Sequence, residues 1–182
     1  AHVQPVRKAL GIPTIFNTLG PLLSPGRPSL QVMGIANPAQ GQLIAEVFRE
    51  LGRERALVIH GAGTDEIATH GTTQAWELND GEIVTYELTP EDLGIKRHEL
   101  TDLTGGDGAA NARALRAVFA GRGEPAHCDA IAATAGAMFY LNGTKETIAA
   151  GVTHAKELIG SGTVEQWLTL HENANYAVGE ES

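Results

Sequence analysis

Hydrophobic and polar positions in the first third of the chain predict a strand–helix–strand unit. The apolar runs Leu30 to Ala36 and Ala56 to Ile59 are both typical of buried strands. Between them, Asn37-Pro38 begins a helix and Gly52 ends it. The apolar face of that helix has helical spacing and consists of Leu43, Ile44, Val47, Phe48 and Leu51. Two strands joined by such a helix indicate a parallel pair with a right-handed crossover.

A second pattern, two short strands around a tight turn, follows in the middle of the chain. Residues 76–78 and 83–86 have strand composition, and Asn79-Asp80-Gly81 separates them. Because Asp-Gly readily adopts the positive φ angles of a hairpin turn, the pattern predicts an antiparallel hairpin. Farther on, Thr89 to Asp92 open a helical turn, with acidic side chains near its positive end.

The chain from Asp107 onward has an almost entirely helical pattern. We expect helices at about 108–120, 126–141, 144–159 and 163–171, separated by turns that contain glycine. The second of these is apolar nearly all round, which is typical of a buried helix. Together the patterns predict an α/β domain whose helices cover a mostly parallel sheet, and the sheet starts near Leu30.

The composition excludes several classes of function. With 13 basic and 22 acidic side chains, the 182-residue chain has a formal charge of −9, which disfavours binding to nucleic acids and anionic membranes. The single cysteine, Cys128, excludes a disulfide framework, fits a reducing cytoplasm and is predicted to be a core residue. No apolar run approaches the ~20 residues of a transmembrane helix. The histidines lack metal-ligand spacing, and no serine lies in a nucleophile elbow.

Candidate chemistry begins where the second predicted strand ends, at Asp65 and Glu66. Ligands bind at the carboxyl ends of parallel strands, and carboxylate oxygens are ligands that Mg²⁺ prefers. The alternative is a solvated acidic loop. Near the start of the chain, Arg7 lies in a predicted helix, where its guanidinium is able to clamp a carboxylate. The alternative there is a solvent-facing arginine.

A glycine-rich turn at Gly105 to Gly108 also has two interpretations. Such turns before helices form nests that bind phosphate. Asp107 equally suits a helix N-cap, and Asn111, four residues later, is placed to bond back to the turn. The capping turn is favoured because no clear strand precedes the glycines.

Four motifs occur in order along almost the whole chain. They are Pro5-Val6-Arg7-Lys8; Phe16-Asn17-Thr18-Leu19-Gly20-Pro21-Leu22; Val58-Ile59-His60-Gly61 followed by Asp65-Glu66; and Leu103-Thr104-Gly105-Gly106-Asp107 followed by Asn111-Ala112. In this combination the chain resembles the anthranilate phosphoribosyltransferase family of tryptophan biosynthesis. The run Phe-Asn-x-Leu-Gly-Pro-Leu is highly specific.

The resemblance implies roles for five residues. Arg7 is implied to contact the carboxylate of anthranilate, and Gly20 and Pro21 are implied to lie in the hinge beside this aromatic substrate. Asp65 and Glu66 are implied to bind Mg²⁺, which accompanies phosphoribosyl pyrophosphate. No catalytic residue is implied, because positioning and charge stabilisation dominate the displacement at ribose C1.

The resemblance also implies how the chain is organised. The part of the family sequence that this chain resembles begins within a family motif, so the chain is expected to correspond to the C-terminal half of the enzyme. Residues 1–24 would be a remnant of a small helical domain with the hinge, and residues 25–182 the C-terminal part of the α/β domain. The helices that form the family's homodimer and the glycine-rich pyrophosphate loop belong to the other half. We therefore expect the fragment alone to be inactive.

Two alternative functions stay open. A pyrimidine nucleoside phosphorylase shares the architecture and the ribose C1 chemistry with phosphate as nucleophile, but Arg7 in its motif and the Gly-Pro-Leu hinge disfavour it. A non-catalytic α/β binding module is the other alternative, because the chain lacks the phosphate loop. Loss of anthranilate fluorescence on mixing the full-length protein with phosphoribosyl pyrophosphate and Mg²⁺ distinguishes the three.

Overall fold

A computed structural model describes Leu22 and residues 26–179, with side chains as far as residue 171. The strands are β1 (Leu30–Gly34), β2 (Arg55–Gly61), β3 (Thr73–Asn79) and β4 (Glu82–Leu88). The helices are α1 (Gly41–Glu50), α2 (Gly108–Phe119), α3 (Pro125–Leu141), α4 (Ile148–Gly160) and α5 (Thr163–Gly179). Short 3₁₀ turns lie at Pro38–Gln40 and Leu100–Leu103.

The predicted strand–helix–strand unit is confirmed. β1 starts at Leu30 and pairs in parallel with β2, where Leu30 lies opposite Arg55. The Asn37 side chain accepts a hydrogen bond from the Ala39 amide at 3.1 Å, which caps the turn that leads into α1. Gly52, with a φ of 74°, follows the end of the helix.

The predicted hairpin is also confirmed, and it changes the character of the sheet. β3 and β4 pair antiparallel around Asp80 and Gly81, whose φ angles are 49° and 80°. β2 and β3 are antiparallel as well. In the part of the chain that the structure describes, the order is β1-β2-β3-β4. The sheet there is mixed rather than mostly parallel, because a tight two-residue turn joins only antiparallel neighbours.

Each face of the sheet is covered by its own hydrophobic cluster, and β2 contributes to both. Successive strand side chains point to opposite faces, so Ala56 and Val58 pack with α1 while Leu57 and Ile59 pack with α3 and α4. Leu22 packs in the cluster on the α1 side. Burial on both faces explains why β2 has a continuous apolar run instead of an alternating pattern.

The C-terminal helices agree with the predicted positions except at some ends. α4 begins at Ile148 rather than near 144, because the Thr147 hydroxyl accepts from the Ala150 amide and starts the helix there. The preceding segment is held in a turn by the Thr144 amide, which donates to Asn142 Oδ1 at 2.9 Å. α5 extends beyond 171 to Gly179.

The acidic segment at Thr89 to Asp92 forms one turn and no further helix. The Asp92 carboxylate accepts hydrogen bonds from both the amide and the hydroxyl of Thr89. Gly94, with a φ of 67°, then turns the chain away.

Several expectations concern residues outside the described part of the chain. These are the helices over 3–19, most of the hinge and the domain boundary at residue 24. They stay predictions from the sequence.

Candidate functional site

The carboxylates of Asp65 and Glu66 lie just beyond the carboxyl end of β2. They belong to the segment 62–72 between β2 and β3, which we call the acidic loop. Both residues are exposed and line a cavity of about 700 Å³, which we call the carboxylate cavity. Its other walls are one face of α3 and the Leu100–Leu103 turn. The pair therefore lies where an α/β sheet places its ligands.

A tight turn starts the acidic loop. The amides and carbonyls of Gly61 and Thr64 bond to each other at 2.9–3.0 Å, and the Thr64 hydroxyl donates to the Gly61 carbonyl at 2.8 Å. Between them, Ala62 and Gly63 have φ angles of 46° and 94°. The left-handed conformation is unfavourable for alanine, so other contacts must hold this turn. One of them is the His70 ring, whose Nε2 lies 3.3 Å from the Ala62 carbonyl oxygen.

Two glycines allow the acidic loop to pack directly against the ends of β1 and β2. A Cβ atom at Gly34 would overlap the backbone carbonyl of Asp65, and one at Gly61 would overlap the carbonyl of Glu66. Backbone against backbone leaves little freedom for the loop. The backbone positions of Asp65 and Glu66 are thus set in part by uncharged residues at the strand ends.

The electrostatics of the pair favour a cation. Partial desolvation of its carboxyl, and then the adjacent charge of Asp65, raise the pKa of Glu66 above its ordinary value. Among the described side chains, no lysine, arginine or histidine forms an ion pair with either carboxylate. Uncompensated neighbouring carboxylates supply the hard oxygen ligands that suit Mg²⁺. Within the described residues no cluster of three ligating side chains occurs, so this part of the protein offers two donors.

The other residues implied to form the site are Arg7, Gly20 and Pro21, and all three lie outside the described residues. Asp65 and Glu66 are the implied site residues whose surroundings the structure describes.

The glycine-rich turn before α2 has the geometry of a capping turn. Asp107 Oδ1 accepts from the Ala110 amide at 2.8 Å, and Asn111 Oδ1 accepts from the Gly106 amide at the same distance. Asn111 Nδ2 also donates to the Gly106 carbonyl at 3.2 Å. Because the Gly106 amide is already bonded, the turn favours the capping interpretation over a phosphate nest.

Cys128 differs from its expected place in the core. It is only partly buried on α3. That burial, followed by the neighbouring charge of Asp129, raises the pKa of its thiol, which disfavours the reactive thiolate.

Two polar clusters were not predicted from the sequence. Buried Glu77 accepts hydrogen bonds from the hydroxyls of Tyr86 and Tyr140, each at 2.8 Å, and from Arg55 Nη2 at 3.2 Å. In the sequence, the position of this glutamate between apolar Trp76 and Leu78 is the signal that could have indicated a buried, paired carboxylate. The second cluster joins His98, Asp129 and Lys156 through two 2.7 Å contacts, and no spacing pattern indicates it because its members lie far apart in sequence.

The strand–helix–strand unit and the acidic loop at the carboxyl end of β2 are features of α/β domains, a class that binds ligands at strand ends. The chain belongs to the glycosyl transferase family, because that family's a/b domain matches residues 1–165. Among the described helices, none is both long enough and apolar enough to cross a membrane.

Curated relatives support the resemblance found in the sequence. The anthranilate phosphoribosyltransferase of Corynebacterium aurimucosum is 76% identical over 176 residues, which are 97% of this chain and 51% of the relative. That of Corynebacterium diphtheriae is 64% identical over 177 residues, 97% of this chain and 52% of the relative. The chain thus spans about half the length of these relatives.

Solved structures agree with the predicted α/β class. Anthranilate phosphoribosyltransferase from Thermus thermophilus matches with a TM-score of 0.84 and 38% identity, covering 92% of this chain and 50% of that one. The Saccharomyces cerevisiae enzyme in complex with phosphoribosyl pyrophosphate and Mg matches with a TM-score of 0.80 and 29% identity. That match covers 91% of this chain and 48% of the yeast chain.

Proposed function

We propose that this chain is the C-terminal half of an anthranilate phosphoribosyltransferase. The complete enzyme transfers the phosphoribosyl group of phosphoribosyl pyrophosphate to the amine of anthranilate, giving N-(5-phosphoribosyl)anthranilate and pyrophosphate. The proposal rests on the Asp65–Glu66 pair, which has no basic partner among the described side chains and faces a cavity, in a chain that is 76% identical to a relative of that name.

The reaction is a displacement at ribose C1. The C1–N bond to anthranilate forms, the C1–O bond to pyrophosphate breaks, and the amine releases a proton. Positive charge develops on the ribose in the transition state, while negative charge leaves with pyrophosphate. Catalysis of this kind depends on holding the two substrates in line and on stabilising the separated charges.

Asp65 and Glu66 are the residues of this chain that hold the pyrophosphate end of the substrate. Alone, two carboxylates would repel a polyanion, so they act through the cation that they bind. Mg²⁺, when bound, would supply electrostatic stabilisation of the departing pyrophosphate. Gly34 and Gly61 keep both carboxylates in place through the backbone contacts described above.

At the other substrate, we assign Arg7 to the carboxylate of anthranilate, with Gly20 and Pro21 in the hinge beside the aromatic ring. These roles rest on the sequence motifs alone. A planar guanidinium pairs with a carboxylate through two parallel hydrogen bonds, so it orients the ring as well as binding it.

We further propose that residues 1–24 belong to a small helical domain and residues 25–182 to the α/β domain. The complete protein would be a cytoplasmic homodimer that associates through its N-terminal half. This chain alone would then lack both the dimer contacts and the glycine-rich pyrophosphate loop of the family, and would be inactive.

A chimera tests the proposal directly. This chain is fused to the part of the Corynebacterium aurimucosum relative that it does not cover, and the fluorescence of anthranilate is followed. We expect the signal to fall only when phosphoribosyl pyrophosphate and Mg²⁺ are both present. Phosphorolysis of thymidine without anthranilate turnover would instead identify a nucleoside phosphorylase. The absence of both reactions in a folded chimera would favour a binding module.

A further inference from the structure

One residue, His98, is bonded or adjacent to all three walls of the carboxylate cavity, although it does not line the cavity itself. The walls are the acidic loop, α3 and the Leu100–Leu103 turn. His98 lies two residues before the Leu100–Leu103 turn, which forms one wall. Its backbone amide donates to the carbonyl of Thr69 in the acidic loop at 2.9 Å. Its ring Nε2 lies 2.7 Å from Asp129 Oδ2 on α3, directly before the wall residue Ala130.

The ring contact of His98 is buried and strongly held. The side chains of His98 and Asp129 are 9% and 11% exposed, and the other Asp129 oxygen accepts from Lys156 Nζ of α4 at 2.7 Å. The positive charge of Lys156 compensates the cost of burying the Asp129 carboxylate. Buried hydrogen bonds to charged groups hold geometry more firmly than exposed ones. His98 is therefore fixed to the packed pair of helices.

That attachment acts on the acidic loop. Thr69 lies three residues after Glu66, and its carbonyl is bonded to the amide of His98. The segment also packs through buried Ile67 into the hydrophobic cluster with α3 and α4, and the Ala68 amide donates to the Thr73 hydroxyl at 2.9 Å. The buried hydroxyl of Thr69 has no hydrogen-bond partner among the described residues. Among the described residues, the polar link from this part of the loop to α3 runs through His98, beside the apolar packing of Ile67.

We propose that His98 is a positioning residue for the acidic loop, which it ties through Thr69 and Asp129 to α3 and to the Leu100–Leu103 turn. It holds Asp65 and Glu66 at a set distance from the opposite cavity wall. The functional consequence rests on the function proposed above: loosening this tie weakens binding of the pyrophosphate-bearing substrate and leaves anthranilate binding unchanged.

The first arm of the test measures the tie itself and needs no activity. Amide exchange is followed at residues 68 and 98 in the 182-residue chain by NMR. His98→Ala keeps the backbone amide but loses the ring, so we expect exchange at both amides to accelerate at least tenfold. In His98→Gln the side-chain amide is able to take the place of Nε2, and we expect exchange within threefold of the unmodified chain.

A matched control separates positioning from general destabilisation. Val152 is 1% exposed in the core of α4, and Val152→Ala lowers stability without touching the tie. In Val152→Ala we expect amide exchange at residues 68 and 98 to accelerate by the same factor as exchange at the core amides of β2. The proposal is overturned if His98→Ala behaves like Val152→Ala, or if His98→Gln is no better than His98→Ala.

The second arm measures the consequence in the chimera at saturating Mg²⁺. We expect His98→Ala to raise KM for phosphoribosyl pyrophosphate at least fivefold, with KM for anthranilate within twofold, and His98→Gln to restore it. Equal changes in both KM values would contradict a role specific to the acidic loop. If the unmodified chimera transfers no phosphoribosyl group, the proposed function fails, while the exchange arm still decides whether His98 positions the loop.

Discussion

The carboxylates of Asp65 and Glu66 depend at the residue scale on neighbours that carry no charge. Gly34 and Gly61 let the backbone of the loop approach the strand ends, and Thr64 closes the turn that precedes the pair. Partial desolvation and the adjacent charge of Asp65 raise the pKa of Glu66, and the cation that we propose would reduce the repulsion between the two carboxylates.

Removing the pair is expected to weaken the dependence of turnover on Mg²⁺. In the chimera, Asp65→Ala with Glu66→Ala removes the hard oxygen donors, so we expect the Mg²⁺ concentration for half-maximal rate to rise at least tenfold. Initial rates across a Mg²⁺ titration measure this. Glu82→Ala with Glu87→Ala removes the same charge from exposed positions of β4 and serves as the control. An unchanged Mg²⁺ titration curve in the Asp65→Ala, Glu66→Ala variant would mean that the two carboxylates are solvated and bind no Mg²⁺.

Arg7 gives a prediction for the other substrate. A charge-assisted hydrogen bond contributes roughly 1.5–3 kcal/mol, so Arg7→Ala is expected to raise KM for anthranilate by about ten- to a hundredfold. Arg7→Lys is expected to recover little, because a point charge lacks the planar fork. Steady-state kinetics of the chimera measure both. Normal anthranilate kinetics in Arg7→Ala would identify a solvent-facing arginine.

The cluster around Glu77 predicts a loss of stability in alkaline solution. Burial and the charge of Glu77 raise the pKa of Tyr86 above its ordinary value of 10.0. The folded state therefore holds this proton more tightly than the unfolded state, and its contribution to stability is lost as the pH rises above about 10. The pKa of Tyr140 is raised as well, so this residue adds to the loss of stability at alkaline pH.

Tyr86→Phe tests this contribution. Urea unfolding at pH 7 is expected to show a loss of about 1–3 kcal/mol, because buried Glu77 loses one donor. Between pH 9 and 11 the variant is expected to lose less stability than the unmodified chain. An identical alkaline decline in both proteins would mean that other groups cause it.

At the scale of elements, α3 and α4 pack closely against each other through two glycines. A Cβ atom at Gly136 would lie 2.6 Å from the Val152 amide nitrogen, and one at Gly151 would overlap the carbonyl of Gly136. The two helices therefore meet backbone to backbone. This contact keeps α3 in place as a wall of the carboxylate cavity and places Lys156 beside Asp129.

Gly151→Ala is expected to disrupt that contact, because the methyl group meets backbone atoms that cannot move aside. We expect the free energy of unfolding to fall by about 2–3 kcal/mol. Gly160→Ala, at the end of the same helix with open space around it, is expected to raise it by about 0.5–1 kcal/mol. Denaturant unfolding of both variants measures the difference. Equal changes in the free energy of unfolding would show that helix propensity, and not the close approach of the two helices, determines the effect of Gly151→Ala.

At the scale of the whole molecule, two hydrophobic clusters on opposite faces of the sheet share β2, so we expect one cooperative unfolding transition for residues 1–182. We expect no phosphoribosyl transfer by this chain alone. Orientation of reactants contributes as much as ~7–11 kcal/mol to such reactions, and much of it would be lost with half of the positioning groups. Calorimetry and the fluorescence assay on the isolated chain test these two expectations. Turnover within tenfold of the chimera would place the active site within this chain.

The sequence by itself determined the order of elements and the identity of the acidic pair. Continuous apolar runs, helical spacing and turn residues such as Asp80-Gly81 are local signals, and they predicted β1, α1, β2, the hairpin and the positions of the C-terminal helices. The ordered motifs identified the family, and the resemblance implied the roles predicted for Arg7, Gly20, Pro21, Asp65 and Glu66. The elements needed only residues close together in the chain, whereas the family needed the order of several local motifs along it.

Only the tertiary structure decided which distant residues meet. The mixed character of the sheet depends on the pairing of β2 with β3, and the place of Asp65 depends on Gly34, some thirty residues earlier. The link from Thr69 through His98 to Asp129 joins three segments without any common pattern. Such contacts are governed by packing and by the need to pair buried polar groups, and these conditions exist only once the chain has folded.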